Sequence, residues 1–290
     1  MWAFRRAFVY VAAASLGLLG VAALRAGFEA SPADRVAVVT IEPGAFRYRL
    51  AGEFQRNGLA TNGPLRETRI EEPFAIMTSQ VSQRDYARCV ADGACPNVGR
   101  IDETAANLPV VGVNWRDATA YAVWLSRQTG DDWRLPSDVE WAYAAGGRFH
   151  DDAIPESDGD GYVERWLAKF DREAARETQP KPPQPFGRFG ANERGIVDLS
   201  GNVWEWTDTC YERRSLDASG VPAGAPTRNC GVRVVEGGHR AYMSDFIRDS
   251  LTGGCSVGAP PTNLGVRLVR HRQSALGRAL RVFGDLVARL

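Results

Sequence analysis

The sequence has no excess of charge of either sign, because its 35 basic residues are balanced by 35 acidic ones. A protein without a positive surplus lacks the long-range field that attracts nucleic acid, so we expect no nucleic-acid partner. The chain also lacks a phosphate-binding loop, a His-Glu-x-x-His zinc motif and any internal repeat. These absences exclude nucleotide hydrolysis by a phosphate-binding loop, the common zinc-protease chemistry and repeat architectures.

Histidine is scarce in this chain, which contains only His150, His239 and His271. No two of them stand at the spacing that metal ligands on one element require. The sequence therefore gives a tight copper site built only from protein side chains little support, although imidazole suits copper well.

Cysteine is present in an odd number, and the five residues fit an oxidising compartment. Cys89 and Cys95 enclose a short loop at the end of a predicted helix, and Cys210 and Cys230 bracket a Gly- and Pro-rich excursion. We predict one disulfide within each pair, which leaves Cys255 over. Sequence alone does not fix the connectivity, and a set of free buried cysteines is the alternative.

The N-terminal segment, residues 1–30, has the pattern of a targeting sequence. Arg5 and Arg6 precede an apolar run of about 18 residues, which is long for a signal peptide and just long enough for a membrane span. A signal peptide and a membrane span would both place the rest of the chain on the exported side, by the positive-inside rule. We therefore expect a periplasmic protein, either soluble after signal cleavage or anchored to the inner membrane.

The C-terminal segment, residues 272–290, is predicted to form a basic amphipathic helix. Its apolar residues recur at helical spacing, and arginines occupy the opposite side: Leu276, Leu280, Phe283, Val287 and Leu290 against Arg278, Arg281 and Arg289. Such a helix can dock on a membrane surface or a partner protein. Packing as the last helix of its own domain is the equally good alternative.

Between these segments, three helices have clear start and stop signals. Ser82 begins a helix that Gly93 ends, Asn114 begins one that Gly130 ends, and a capping box at Ser137 begins a third. A further helix is predicted over residues 162–176. Strands are predicted at residues 36–46, 72–77, 232–237 and 264–269, whereas the polar residues 52–68 are predicted to form a loop.

Residues 195–207 carry the densest pattern in the chain. Asp198 and Glu205 flank a polar turn that contains Gly201, and Trp204 and Trp206 alternate with Glu205 on a predicted strand. Two hard carboxylates around a glycine turn with free backbone carbonyls are suitable ligands for Ca²⁺. We therefore predict a structural metal loop, with plain surface packing as the alternative.

Five motifs, in this order along the chain, resemble the formylglycine-generating enzyme (sulfatase-modifying factor) domain. They are Leu-Pro-Val-Val-Gly-Val-Asn-Trp-Arg-Asp-Ala from Leu108, Trp-Arg-Leu-Pro-Ser from Trp133, residues 195–207, Arg-Val-Val-Glu-Gly-Gly from Arg233, and Asn-Leu-Gly-Val-Arg from Asn263. The resemblance assigns residues 31–271 to one such domain. It implies an α+β, C-type-lectin-like fold with little regular secondary structure and bound calcium. The calcium ligands it implies are Asp198, Gly201, Val203 and Glu205.

The resemblance also identifies what this chain is missing. Enzymes that make formylglycine carry two reactive cysteines shortly after the Gly-Gly step, and soft thiolates of this kind bind Cu(I). The corresponding positions in this chain are Tyr242 and Ile247. The conversion of cysteine to formylglycine is therefore not expected. Exported family members without the pair resemble the pyoverdine maturation protein or a protein encoded beside copper nitrite reductase, and residues 238–249 look more like the latter.

Family members place their substrate groove beside the Gly-Gly strand. The resemblance therefore implies a groove formed by Trp204, His239, Arg240, Tyr242, Met243, Asp245 and Arg248. Two functions stay open at this stage. The first is a non-catalytic binding or maturation factor for a periplasmic partner. The second is an oxidoreductase of altered chemistry that acts on a peptide-derived substrate.

Overall fold

Short strands and capped helices make up the fold of the described chain. A computed structural model describes residues 36–99, 101–154, 161–176, 182–248 and 263–271. The helices of this part are α1 (Gln83–Ala91), α2 (Trp115–Thr129), α3 (Asp138–Ala145) and α4 (Tyr162–Arg176), with a 3₁₀ turn at Gly146–Arg148. The strands are β1 (Val38–Ile41), β2 (Gly44–Arg49), β3 (Glu53–Arg56), β4 (Leu59–Thr61), β5 (Leu65–Ile70), β6 (Phe74–Met77), β7 (Trp133–Arg134), β8 (Trp204–Leu216), β9 (Pro222–Glu236), β10 (Ala241–Ser244), β11 (Leu264–Gly265) and β12 (Val269–His271).

The predicted helices form where their capping residues stand. The Ser82 side chain accepts the backbone N–H of Asp85 at the start of α1, and Asn114 and Ser137 each form a complete capping box at the starts of α2 and α3. Gly130 ends α2 in the left-handed conformation, with φ of 71°. Local hydrogen-bond chemistry thus decides these boundaries, which is why the sequence predicted them well.

The strands form three sheets. One has the order β1-β6-β12-β7, and a second has the order β10-β9-β8-β3-β4, with β11 pairing in parallel with β8. The remaining two-stranded sheet is the antiparallel pair of β2 and β5. Helix α3 packs against β8, β9 and β2, so it lies next to the long β8–β9 hairpin. The mixed α/β architecture with few helices confirms the predicted α+β fold class.

The prediction of a loop over residues 52–68 is wrong, because this segment contains β3, β4 and most of β5. Strand β5 has four side chains that are exposed among its six, so its sequence is too polar to show the alternation expected of a half-buried strand. Strand β3 forms by parallel pairing with β8, a partner more than 150 residues away. Tertiary pairing therefore overrides local composition here.

Both predicted disulfides are confirmed: Cys89 bonds to Cys95, and Cys210 bonds to Cys230 on the neighbouring strands β8 and β9. Cys255, the predicted targeting segment 1–30 and the predicted helix 272–290 lie outside the described residues. Across the part of the chain that is described, no helix is both long enough and apolar enough to cross a bilayer.

Candidate functional site

The turn that leads into β8 has an uncommon backbone conformation. Asp198, Ser200 and Asn202 have φ values of 59°, 60° and 65°, in the left-handed region. Aspartate, serine and asparagine have short polar side chains, and such residues tolerate this region better than bulky ones. Conformations of this kind persist only where surrounding contacts enforce them, and they cluster at functional sites.

Contacts with a neighbouring segment hold this turn. That segment, which we call the strap (residues 182–190), lies against the turn through five hydrogen bonds, one of which the Asp198 backbone N–H donates to the Gly190 carbonyl at 2.9 Å. The Asp198 carboxylate accepts the backbone N–H groups of Gly187 and Phe189 at 2.7 and 2.8 Å. The Asn202 amide accepts from the backbone N–H of Gln184 and donates to its carbonyl, both at 2.8 Å. Asp198 and Asn202 therefore fix the position of the strap.

Glu205 is buried and fully hydrogen-bonded. Its Oε1 accepts from Gln80 Nε2 at 2.7 Å and from Arg267 Nη2 at 2.8 Å. Its Oε2 accepts from Trp141 Nε1 at 2.6 Å and from Arg267 Nε at 2.9 Å. Since the Arg267 guanidinium faces the carboxylate with two N–H groups and both side chains are buried, the two residues form a bidentate buried ion pair.

These contacts bear directly on the predicted calcium loop. A carboxylate has about four lone-pair positions, and on Glu205 four donors fill them. Ca²⁺ needs about six to eight oxygen ligands, and a guanidinium in contact with the glutamate repels it further. Within the described ranges, no three His, Cys, Asp or Glu side chains are grouped as a metal site. As arranged, the set Asp198, Gly201, Val203 and Glu205 does not fit calcium, and calcium enters no step proposed below. Calcium binding stays a prediction, which metal analysis of the purified protein measures.

A cavity of about 690 Å³ opens between the strap and the turn. Its lining includes Gln184, Arg188, Phe189, Asn202, Trp204 and Gly238. The indole of Trp204 lies flat against Gly237, where an added Cβ would stand 2.5 Å from the ring, so only glycine permits this packing. The His239 ring contacts the same indole edge-on, with ring centroids 4.9 Å apart. Trp204 is therefore a rigidly held aromatic surface of the cavity.

A second set of buried charges lies under α3 and β10. We call it the Arg240 cluster: Tyr48, Asp138, Asp152, Glu236, Arg240 and Tyr242. The Arg240 guanidinium is fully buried and contacts Asp138 at 3.0 Å, Glu236 at 3.2 Å and Asp152 at 3.2 Å. The Tyr242 hydroxyl donates to Asp152 at 2.6 Å, and the Tyr48 hydroxyl donates to Asp138. One arginine thus neutralises part of the charge of three carboxylates.

This environment changes the acidity of two members of the cluster. Burial, and then the Asp138 carboxylate, raise the pKa of Glu236 well above its ordinary value. Burial, and then the Asp152 carboxylate, raise the pKa of Tyr242 well above that of a free tyrosine. For each group this environment favours the protonated form over the ionised form, relative to the free side chain.

The seven residues of the predicted groove do not line one surface. Of the seven, only Trp204 lines the cavity. His239 contacts the edge of the Trp204 ring. Arg240 and Tyr242 belong to the buried cluster, and Met243 is completely buried. The reason is that β10 pairs with β9 inside the domain, which buries the side chains at Ala241–Met243 on both faces of the strand.

Asp245 and Arg248, the other two residues of the predicted groove, contact the start of α2. The Asp245 carbonyl accepts the backbone N–H of Trp115, and Arg248 donates to both carboxylate oxygens of Asp117 at 2.7 and 2.8 Å. Asp245 and Arg248 therefore hold the β10 end to the helix and do not face the cavity. Tyr242 and Met243 are buried and do not line the cavity, so the phenol and thioether that could accompany His239 as copper ligands do not meet there.

Several side chains that organise this region were missed by sequence reasoning. They are Gln80, Asp138, Trp141, Glu236 and Arg267. Glu236 and Arg267 stand inside motifs that the sequence analysis singled out, but nothing local indicated their partners. Arg267 is 62 residues from Glu205, and Arg240 is 102 residues from Asp138. The one signal in the sequence was a charged residue inside a largely apolar motif, because such a residue needs a partner once it is buried.

The fold and this region together define a mixed α/β domain of short strands, with a tryptophan-backed cavity beside its long hairpin. Residues 25–272 match the family described as the Sulfatase-modifying factor enzyme 1-like domain. The chain therefore belongs to that family, as the motifs predicted.

Individual relatives match shorter stretches. The formylglycine-generating enzyme of Mycobacterium tuberculosis is 36% identical over 145 residues, covering 47% of this chain and 46% of that protein. The inactive Cα-formylglycine-generating enzyme 2 of Mus musculus is 35% identical over 113 residues, covering 38% of this chain and 35% of that protein. The chain thus spans less than half of each. The solved structure of PvdO from Pseudomonas aeruginosa covers 81% of this chain and 94% of its own, with 21% identity and a TM-score of 0.48.

The raised pKa of Glu236 predicts a pH-dependent stability. When a carboxyl group has a higher pKa in the folded protein than in the unfolded chain, it stabilises the folded state at low pH. This stabilisation is complete below the pKa of the unfolded chain, and it is lost as the pH rises through the pKa of the folded protein. Replacing Glu236 by glutamine removes this loss, because the amide does not ionise. We expect the unfolding free energy of the wild type to fall relative to E236Q above about pH 4.5, by up to about 1.4 kcal/mol per pH unit.

Urea denaturation of both proteins from acidic to alkaline pH measures this difference directly. The comparison isolates Glu236, since every other charged residue is the same in both proteins. A constant difference across the whole pH range would show that Glu236 keeps an ordinary pKa in the folded protein.

Proposed function

We propose that this protein is an exported binding or maturation factor, which acts on a partner protein or a peptide-derived substrate through the Trp204 cavity. In this proposal it does not generate formylglycine. The resemblance to the family member encoded beside copper nitrite reductase suggests a periplasmic copper enzyme of denitrification as the partner context.

One observation carries the proposal. The positions that correspond to the reactive cysteine pair are occupied by Tyr242 and Ile247, which are 3% and 9% exposed. The Tyr242 hydroxyl is engaged with Asp152 and the backbone of Gly52. Neither side chain can supply a thiolate, and thiolates are the ligands that Cu(I) chemistry requires. The family scaffold is therefore kept while the copper ligands are replaced by buried structural groups.

The cysteines that the structure describes support export. Two disulfides tie down α1 and the β8–β9 hairpin, and structural disulfides persist in oxidising compartments. The charged and apolar pattern of residues 1–30 supports the same location. Fractionation of cells that produce the full chain measures it, and recovery of the protein from the cytoplasm with reduced thiols would contradict export.

The absence of formylglycine chemistry is tested by an activity assay. The purified full chain is incubated with Cu(I) and a cysteine-containing sulfatase peptide, and aldehyde is detected by mass spectrometry. We expect no conversion above the copper-only background. The formylglycine-generating enzyme of Mycobacterium tuberculosis serves as the positive control under identical conditions. Aldehyde formation by this chain would overturn the assignment.

The binding role predicts that Trp204 is an anchor for the ligand. Binding is measured on an array of random peptides, and the tightest peptides are then titrated in solution. We expect Trp204→Ala to weaken binding by about tenfold or more, since buried aromatic anchors contribute strongly at interfaces. Trp204→Phe keeps a ring in place and should retain most of the affinity. Leu59→Ala, at an exposed position on β4, is the matched control.

The same peptides separate binding from catalysis. We expect each bound peptide to be recovered with unchanged mass. A covalently altered peptide would contradict a purely binding role and favour the oxidoreductase alternative. Equal affinity of the wild type and both Trp204 variants would place the binding site elsewhere.

A further inference from the structure

The described residues that line the cavity include one positive charge and no negative charge. Among these residues, Arg188 is the one that carries a charge, and the others are apolar or neutral. Arg188 is exposed and forms no ion pair with another described residue. Basic and acidic residues are equal in number over the whole chain, so a cavity with one cation and no anion departs from the average.

The two acids that follow this cation along the chain, Glu193 and Asp198, have other partners. Glu193 pairs with Arg194 at 2.9 Å. Asp198 is fully buried, and both of its oxygens accept backbone N–H groups of the strap. A second guanidinium, that of Arg148, lies against the strap and donates to the carbonyls of Phe189 and Ala191 at 3.1 and 3.4 Å. These carbonyls accept hydrogen bonds but carry no full charge. Two guanidinium groups against the one buried Asp198 carboxylate therefore leave a net positive charge around the strap.

Apolar surface accompanies this charge. Trp204 forms one wall of the cavity, and Phe189, which is 43% exposed, lies on the strap next to Arg188. The Phe189 ring packs on Gly201, where an added Cβ would stand 2.7 Å from it. The strap that carries both Arg188 and Phe189 is fixed by Asp198 and Asn202. The positive group and the two rings are therefore held in a set arrangement, which reduces the entropy lost on binding.

We propose that the cavity selects an acidic peptide segment, with a carboxylate paired to Arg188 and a neighbouring apolar side chain packed on Trp204. An arginine recognises a carboxylate through two parallel N–H···O bonds, which gives geometric selectivity as well as attraction. This inference rests on the proposed function, because it names the class of peptide that the binding factor recognises.

The test uses the same array of random peptides with the purified full chain. We expect the bound peptides to be enriched in aspartate and glutamate and depleted in lysine and arginine. The tightest acidic peptide is then titrated with wild type and Arg188→Gln, and we expect a loss of about tenfold in affinity. Arg127→Gln, at an exposed position on α2, is the matched control and should bind as the wild type does. Replacing the acidic residues of the peptide by their amides should cause a similar loss with wild type and almost none with Arg188→Gln.

The outcomes separate this inference from the proposed function. Peptides that bind without an acidic bias, or an Arg188→Gln protein that binds the acidic peptide as tightly as wild type, would overturn the inference and leave the binding role standing. Failure to bind any peptide would overturn both. A loss of affinity in Arg188→Gln that persists with the amide peptide would show a structural effect of the substitution, which also overturns the assigned carboxylate contact.

Discussion

Replacing Arg267 by methionine is expected to lower the free energy of unfolding by about 3–5 kcal/mol. The substitution leaves Glu205 buried without its cation, and it removes the bonds that Arg267 donates to the carbonyls of Met77 and Val197, both at 2.9 Å. A carboxylate in this position cannot recover its hydration, because Glu205 is only 1% exposed. Urea denaturation at neutral pH measures the loss.

Two further variants assign this loss to the ion pair. In Glu205→Gln/Arg267→Met the uncompensated charge is absent, so we expect part of the stability to return relative to the single variant. Arg69→Met breaks an exposed pair with Glu71 and should cost about 0–1 kcal/mol. A double variant as unstable as the single one would show that lost packing, and not the buried charge, causes the effect.

Replacing Arg240 by methionine is expected to destabilise the protein by a similar amount, about 3–5 kcal/mol, but with a different pH profile. Asp138, Glu236 and Asp152 then face one another without a cation, and the ionised carboxylates repel one another. Protonation relieves this repulsion, so the destabilisation should be smaller at pH 5 than at pH 8.

Denaturation of this variant at both pH values, beside the wild type, tests the cluster as a unit. Arg213→Met is the matched control, because Arg213 pairs with Glu53 at 3.0 Å and is 55% exposed. We expect a cost of about 0–1 kcal/mol for the control at either pH. An Arg240 variant whose instability does not depend on pH would show that the three carboxylates do not share their charge through Arg240.

These two ion pairs also explain a feature of the hairpin. Glu205 on β8 and Glu236 on β9 are directly opposite each other, and like charges in that position repel. Each has its own buried arginine, Arg267 for Glu205 and Arg240 for Glu236. The hairpin therefore depends on two cations that come from outside β8 and β9.

Much of the local structure could be predicted from the sequence, because its causes are local. Ser82, Asn114 and Ser137 begin helices through hydrogen bonds to the third residue that follows, and Gly130 ends one because it adopts positive φ at little cost. The disulfide pairs were predicted from short loops. The family and its fold class followed from five motifs in order, which no single motif would have established.

The cavity and the charge networks could not be predicted in the same way. Sequence reasoning placed Arg240, Tyr242 and Met243 in a groove because they follow the Gly-Gly step, whereas the pairing of β10 with β9 buries all three. The calcium loop at Asp198 and Glu205 stays a prediction, but the sequence did not indicate that Asp198 holds the strap or that Glu205 pairs with Arg267. The strap is rich in proline, but nothing in its sequence indicates that it forms a cavity wall.

The sequence by itself indicated the family, the helix boundaries and a disulfide pairing, and it has no cysteine where the resemblance places the reactive pair. Each of these depends on residue identity or on hydrogen bonds between residues a few positions apart. The tertiary structure alone decided which carboxylates are neutralised, which side chains face the cavity and why Arg188 is left to meet a ligand. Those outcomes depend on pairing between charges 62 and 102 residues apart, and burial makes that pairing obligatory because an isolated ion in the interior is too costly.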